Sequence, residues 1–361
     1  MDILLLIVGL ALILFGANFL TDGSAAIAQR FRVPEFIIGL TIVAVGTSTP
    51  ELVVSVLSAA AGNSDVAVGN IVGSNIFNVF IILGICALIR PLPLSRSNIR
   101  RDIPFGAAVS LLLFVIASDK LLHLGAADRL GRGDGIAMLL LYIALMGYTI
   151  RATGRAGAPA APGIPAAPNT TAASTASGAP NTPTASGTPD TTATSTAPGA
   201  PNGSGIPETK APTAIWIAAV MIVGGLAGLI FGGEMFLRAA TAFARRLGVS
   251  ESVIAITLVA GGTSLPELAS SVVSLLKGKA DMALGNVIGS NIANILLILG
   301  ISATIHPLTM GGITTTDLAM VVLSSLLLLL TAFTFRRKII DRREGVIFLA
   351  IYAAYIWYLI K

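Results

Sequence analysis

The sequence contains the same stretch twice. Residues 41–84 (TIVAVGTSTPELVVSVLSAAAGNSDVAVGNIVGSNIFNVFIILG) align without a gap to residues 257–300 (TLVAGGTSLPELASSVVSLLKGKADMALGNVIGSNIANILLILG) at an offset of 216, with 25 of 44 positions identical. Phe15-Gly16 and Phe231-Gly232 obey the same offset, so the duplication includes the apolar segment that precedes each copy. A period this long is one structural unit used twice.

Composition fixes the medium in which that unit folds. The 361 residues are 54% hydrophobic and 11% charged, against about 25% charged for a soluble domain, and the mean hydropathy is +0.86. The apolar residues form blocks long enough to cross about 30 Å of hydrocarbon as helices. A β-barrel would need alternating segments, and runs such as Val321–Leu330 do not alternate. The chain therefore reads as an all-α membrane protein. Its ten transmembrane segments fall at about 3–20, 36–59, 66–90, 103–117, 134–150, 213–236, 252–276, 281–305, 316–334 and 345–360. The first is not a signal peptide, because Asp2 stands where a basic region belongs and the segment has a counterpart in the second half. The lone Cys86 excludes an internal disulfide. A pI near 9.6 reflects basic loops rather than nucleic-acid binding.

Between the halves the composition changes. Residues 151–212 hold 11 of the 18 prolines and no aromatic residue. Such a segment buries too little apolar surface to offset its chain entropy, so it is expected to be a disordered linker between a first five-helix unit (1–150) and a second (213–361). Five crossings per half is an odd number, which makes the second unit enter from the opposite side. This is the inverted-repeat plan of secondary transporters. With the N-terminus outside, cytoplasmic loops carry 16 Lys or Arg and the outer segments 7. The excess favours outer termini, a cytoplasmic linker and residence in the cell (inner) membrane.

Each copy carries Gly-Thr-Ser-x-Pro-Glu inside an apolar span: Gly46 to Glu51 and Gly262 to Glu267. A carboxylate at membrane depth costs several kcal/mol unless paired, and neither span contains Lys or Arg. Two such glutamates at equivalent positions point to a cation. Pro50 and Pro266 interrupt helical hydrogen bonding, as expected of broken helices that line ion sites. Thr47, Ser48 and Glu51 are expected to share a helix face, as are Thr263, Ser264 and Glu267. The following spans add stripes at four-residue spacing: Asn70, Ser74 and Asn78, and Asn286, Ser290 and Asn294. Gly69 with Gly73 and Gly285 with Gly289 allow close helix packing. Asn70, Asn75, Asn286 and Asn291 suit hydrogen bonds between helices. Carboxylates, hydroxyls and amides are hard oxygen donors that suit calcium or sodium. His123 and His306 fall in expected loops, and Asp65 and Asp281 read as helix N-caps.

The paired motifs GTSTPE…GNIVGSNIFN and GTSLPE…GNVIGSNIAN resemble the two α-repeats of the calcium/cation antiporter superfamily, the sodium/calcium exchangers. The resemblance implies ion ligands at Thr47, Ser48, Glu51, Ser74 and Asn78, at Thr263, Ser264, Glu267, Ser290 and Asn294, and at the carbonyls of Ala44 and Ala260. It also implies long, tilted first and sixth helices that slide across the core. Exchangers of this type often carry Asp at the position of Asn294, so this chain keeps two carboxylates. The implied activity is calcium/sodium antiport, with calcium/proton antiport and a passive cation channel as alternatives. The implied partners are calcium and sodium ions and the bilayer, for a plausibly monomeric protein. Neither a cofactor nor an enzymatic activity is expected: GNIVGS lacks the lysine of a phosphate loop and lies in a membrane span.

Overall fold

The computed structural model describes residues 2–118, 128–155, 214–248, 260–334 and 338–360. The linker expected at 151–212 lies almost wholly outside the described residues, as do His123 and residues 252–259 of the expected seventh span.

Twelve helical segments are described. In the first half they are α1 (Asp2–Phe31), α2 (Glu35–Thr47), α3 (Thr49–Ala60), α4 (Ser64–Ile89), α5 (Ile103–Ile116) and α6 (Arg132–Arg155). In the second they are α7 (Ile215–Arg246), α8 (Ala260–Gly262), α9 (Leu265–Leu276), α10 (Ala280–Ile305), α11 (Thr315–Thr331) and α12 (Arg342–Ile360). Among the described residues six helices are long and apolar enough to cross a membrane, or seven with the bent pair α2–α3. The all-α expectation needs a small correction. Leu92–Pro93 (β1) pairs antiparallel with Ile339–Ile340 (β4), and Arg129–Leu130 (β2) pairs with Leu308–Thr309 (β3). These two-residue ladders join loops of opposite halves and satisfy backbone groups between helices.

The duplication survives in the fold residue by residue. The bounds of α3 and α9 differ by the sequence offset, and so do the bounds of α4 and α10. Both long helices change to π-helical turns at the same place, Asn78–Leu83 and Asn294–Leu299. Both helices before them end on a left-handed glycine, Gly62 (φ +76°) and Gly278 (φ +77°). The next amides, of Asn63 and Lys279, reach back to the carbonyls of Ser58 and Ser274 at 2.8 Å. A side chain at either glycine would strain this stop. The same stop corrects the expected caps. Asn63 accepts from the Val66 amide at 3.3 Å and caps α4, so Asp65 lies in the first turn. Asp281 likewise lies inside α10, whose cap position is Lys279.

The helices α4 and α10 are 72% and 78% buried over their most apolar windows, whereas α1, α6, α7 and α12 are between 17% and 28% buried. The two polar-striped helices therefore form the centre, and these less buried ones lie around them. Glycine sets the closest approaches. A Cβ on Gly289 would meet the Ala44 Cβ at 2.7 Å, so the expected Gly285/Gly289 face does pack against α2. A Cβ on Gly69 would lie 3.3 Å from Ile313 Cδ1, and among the described residues one on Gly73 would meet nothing within 4 Å, so this pair does not repeat that close approach. Helices α1 and α7, of 30 and 32 residues, run about 45 Å each and continue well past the expected ends at 20 and 236. They pack against each other: a Cβ on Gly16 would lie 2.7 Å from the Gly225 carbonyl oxygen, and one on Gly232 would lie 2.8 Å from the Ile13 nitrogen.

Candidate functional site

Both Gly-Thr-Ser-x-Pro-Glu motifs sit at a break. Thr47 ends α2, Ser48 leaves the helix (φ −80°, ψ 12°), and α3 begins with Pro50 in its first two positions after a 48° bend. Ser264 (φ −88°, ψ 9°) and Pro266 repeat this at the start of α9. Proline, lacking an N–H, suits the first turn of a new helix better than the interior of a continuous one. The break corrects the expected shared face: Ser48 and Ser264 occupy the junctions, and Glu51 and Glu267 lie in the first turn of the next helix. There the unsatisfied N–H ends of the helix favour negative charge.

Each glutamate is held by the other half of the chain. The Ser48 hydroxyl donates to Glu267 Oε1 at 2.8 Å, and Ser264 donates to Glu51 Oε1 at 3.1 Å. Ser74 adds a contact to Glu51 Oε1 at 3.4 Å. The Thr47 hydroxyl donates to Asn286 Oδ1 (3.2 Å), and Thr263 donates to Asn70 Oδ1 (3.3 Å). The Asn70 amide in turn reaches the Glu51 carbonyl (3.2 Å), as Asn286 reaches that of Glu267 (3.3 Å). Asn78 donates to Asn291 Oδ1 (2.9 Å), and Asn294 donates to Asn75 Oδ1 (3.3 Å). In each pair residue i contacts j while the equivalents of j and i contact each other, the signature of a two-fold relation. The halves are thus joined at their centre by an approximate two-fold network.

Glu51, Glu267, Thr47, Ser48, Ser74, Asn78, Ser264, Ser290, Asn294 and Ala44 are buried, and Thr263 is half-buried. Ser290 departs from its counterpart Ser74: it faces the Ala44 carbonyl at 3.5 Å rather than a glutamate. Ala260 opens α8, at the edge of the described residues. Among the described residues of this network four buried carboxylate or amide oxygens lack a hydrogen-bond partner: Glu51 Oε2, Glu267 Oε2, Asn78 Oδ1 and Asn294 Oδ1. They too form two equivalent pairs. A buried acceptor without a donor costs about 1–3 kcal/mol, more when charged, and a cation is the partner that four such oxygens fit.

Asn70 and Asn286 do more than bridge helices, since they tie the backbone of the glutamates to the opposite half. Ser55 and Ser271 support them at 3.0 and 2.9 Å. The sequence held that signal, because both serines are identical at the repeat offset. Asn75 and Asn291 join the halves as expected. His306 is exposed and lies 2.9 Å from the Pro307 carbonyl oxygen, away from the network.

The sequence profile of the family described as "Sodium/calcium exchanger protein" matches residues 1–151 and 217–361. The chain belongs to the sodium/calcium exchanger family. Among its relatives, the "Putative antiporter CaxA" of Alkalimonas amylolytica is 33% identical over 354 residues, covering 97% of this chain and 95% of that one. The "Sodium/calcium exchanger MaX1" of Methanosarcina acetivorans is 31% identical over 357 residues, covering 98% and 97%. A structure of the sodium-calcium exchanger NCX_Mj, soaked without Na+ and Ca2+, superposes with a TM-score of 0.73 at 28% identity, covering 99% of this chain and 98% of that one. Family membership makes this exchanger a membrane protein, in keeping with its apolar helices, and extends over both halves while leaving out most of the linker.

Proposed function

We propose that the chain exchanges calcium for sodium across the membrane by alternating access, at a site between the two broken helices. The observation that carries this reading is the pair of buried glutamates, each bound by a serine of the opposite half, with four buried oxygens left for a cation. Glu51 and Glu267 give the site a charge of −2, which one calcium or two sodium ions neutralise. The hydroxyls of Thr47, Ser48, Ser74, Thr263, Ser264 and Ser290, the amide oxygens of Asn78 and Asn294, and the carbonyls of Ala44 and Ala260 complete an oxygen shell. Calcium takes six to eight such ligands in flexible geometry. In the empty site Ser48 and Ser264 donate to the glutamates. On loading, the same hydroxyls turn their lone pairs to the ion, which also takes up the oxygens left without a partner in its absence. Competition of the two ions for one site gives exchange rather than leak.

In the same reading the chain crosses the membrane ten times as two inverted five-helix units, with outer termini and a cytoplasmic linker. The glycine-lined pair α1–α7 slides over the core to change which side reaches the site. The test is uptake of radiolabelled calcium into proteoliposomes with outward sodium or proton gradients imposed separately. Uptake driven by sodium supports the proposal. Uptake driven only by protons replaces sodium as the coupling ion, and uptake driven by neither refutes exchange.

A further inference from the structure

A cavity of about 300 Å³ opens beside both helix breaks. It is lined by Thr49, Pro50 and Val53 of the first half and by Gly262, Thr263 and Pro266 of the second, and α7 closes it with Ile230, Gly233, Glu234 and Leu237. Glu234 is the one charged residue in that lining. Thr263, on the same wall, donates to Asn70 of the central network at 3.3 Å. Glu234 is paired with Arg238, one helical turn away, and both side chains are largely exposed.

The equivalent positions in the other half are built differently. Glu234 corresponds to Asn18 and Leu237 to Thr21. There α1 is tied down: Thr21 hydrogen-bonds the Ser274 hydroxyl at 3.1 Å, and Lys277 binds the Asn18 carbonyl at 3.2 Å and Asp22 at 2.7 Å. The same two places on a duplicated scaffold thus differ twice. One has a cavity with Glu234 at its lining, and the other has Asn18 at that position and is cross-linked by Thr21 and Lys277.

Resting on the exchange reading, we propose that Glu234 is a cation-capturing residue at the mouth of the cation path, with Arg238 as its resident counter-charge. An arriving cation competes with the guanidinium for the carboxylate and passes along the wall past Thr263 to the glutamates. An acid at the rim of a low-dielectric cleft concentrates cations and speeds their arrival, with a strong dependence on ionic strength. It adds nothing to the charge of the site itself. Glu234 therefore acts on the apparent affinity for calcium presented on that face, and Arg238 acts with the opposite sign.

The test uses the full chain in proteoliposomes, with calcium applied to one face at a time, and wild type, Glu234→Gln, Glu234→Asp and Arg238→Gln. Glu234→Gln should raise the KM for calcium about three- to tenfold on one face only, with maximal rate unchanged. Arg238→Gln should lower it, Glu234→Asp should restore it, and all differences should fade in about 0.5 M choline chloride as screening shortens. Equal KM values in all four proteins overturn the proposal, as do same-sign effects of the two charge removals or loss of maximal rate at constant KM. Radiolabelled calcium binding to the detergent-solubilised protein separates the two claims. Binding without uptake under any gradient refutes exchange, while the salt-dependent affinity difference still judges Glu234. A wild-type protein that neither binds nor transports calcium overturns both.

Discussion

Replacing Glu267 by Gln probes the site at one atom pair. The amide has nearly the shape of the carboxylate, and its oxygen can still accept from Ser48, which now sits 2.8 Å from Glu267 Oε1. The contact between the halves is kept and the fold with it; what disappears is one of two negative charges. At about 4 Å and an effective dielectric near 20, a divalent ion and a carboxylate attract by about 8 kcal/mol. Desolvation and relaxation cancel part of this, but a third of it, about 3 kcal/mol, already lowers affinity about 100-fold. Expected is loss of sodium-driven calcium uptake at micromolar calcium, with unchanged elution on size exclusion and unchanged helical circular dichroism. Because the network is two-fold, Glu51→Gln should match it, and the double variant should look no worse than either single one. A Glu267→Gln protein that takes up calcium within twofold of the wild-type rate would refute the assignment of this pair as the charge of the site.

Asn294→Asp puts a third acid in place of an amide whose oxygen is unpartnered; one calcium then leaves the site at −1, so uptake should gain a dependence on imposed membrane voltage relative to wild type, read with a potassium–valinomycin clamp. Gly225→Ala places a Cβ 2.5 Å from the backbone nitrogen of Leu20, an atom that cannot turn aside, so α1 and α7 must part at a cost of about 1–3 kcal/mol, and the Tm in detergent should fall. Asn286→Ala removes the donors to the Glu267 carbonyl and to Ser271 and leaves Thr47 only the Ala44 carbonyl at 3.3 Å; stability should drop by about 1–3 kcal/mol, and unchanged unfolding would show the network to be slack. Deleting most of 156–210 should leave uptake intact, since that stretch carries no aromatic residue to pack.

Much of the site was legible because it is written twice. A buried glutamate seen once is ambiguous, and the same glutamate at Glu51 and Glu267, each after a proline, is a pattern. An alignment of the copies identifies equivalent positions, however, and says nothing of which positions touch. That Ser48 binds the glutamate of the other half, and Ser264 the reverse, depends on how the copies are docked. The position of the break was also hidden. Proline tells that the helix cannot run on, but the residue that leaves it, Ser48 or Ser264, is fixed by the geometry of the junction. Hydropathy misplaced the ends of α1 and α7 for a plain reason. It measures the cost of placing residues in lipid, whereas α1 continues through Thr21–Phe31 because Ala-rich sequence favours helix and Gly23 lets α7 come close. Asp65 and Asp281 suit cap positions because acids favour helix starts, but the helix starts where the preceding left-handed glycine releases the chain, one or two residues earlier.

The departures from symmetry bear most directly on how such a molecule could work. The central network is nearly its own image, yet its surroundings are not. On one side Thr21 and Lys277 bind α1 down onto α9 and the loop that follows it. On the other side a cavity lies between α7 and the breaks and reaches Thr263. One scaffold, written twice, thus has two different surroundings among the described residues, a cavity beside one break and hydrogen bonds that tie α1 to α9 beside the other. Under the proposed exchange the opposite state needs no further design, because it results when the two halves trade conformations. The bonds that such a trade must break are few and partly exposed, an ion pair and two hydrogen bonds on the α1 side, each worth about 1 kcal/mol or less in that setting. The glutamates meanwhile keep their cross-half partners or a cation throughout, so the centre can stay fixed while the outer pair of helices moves.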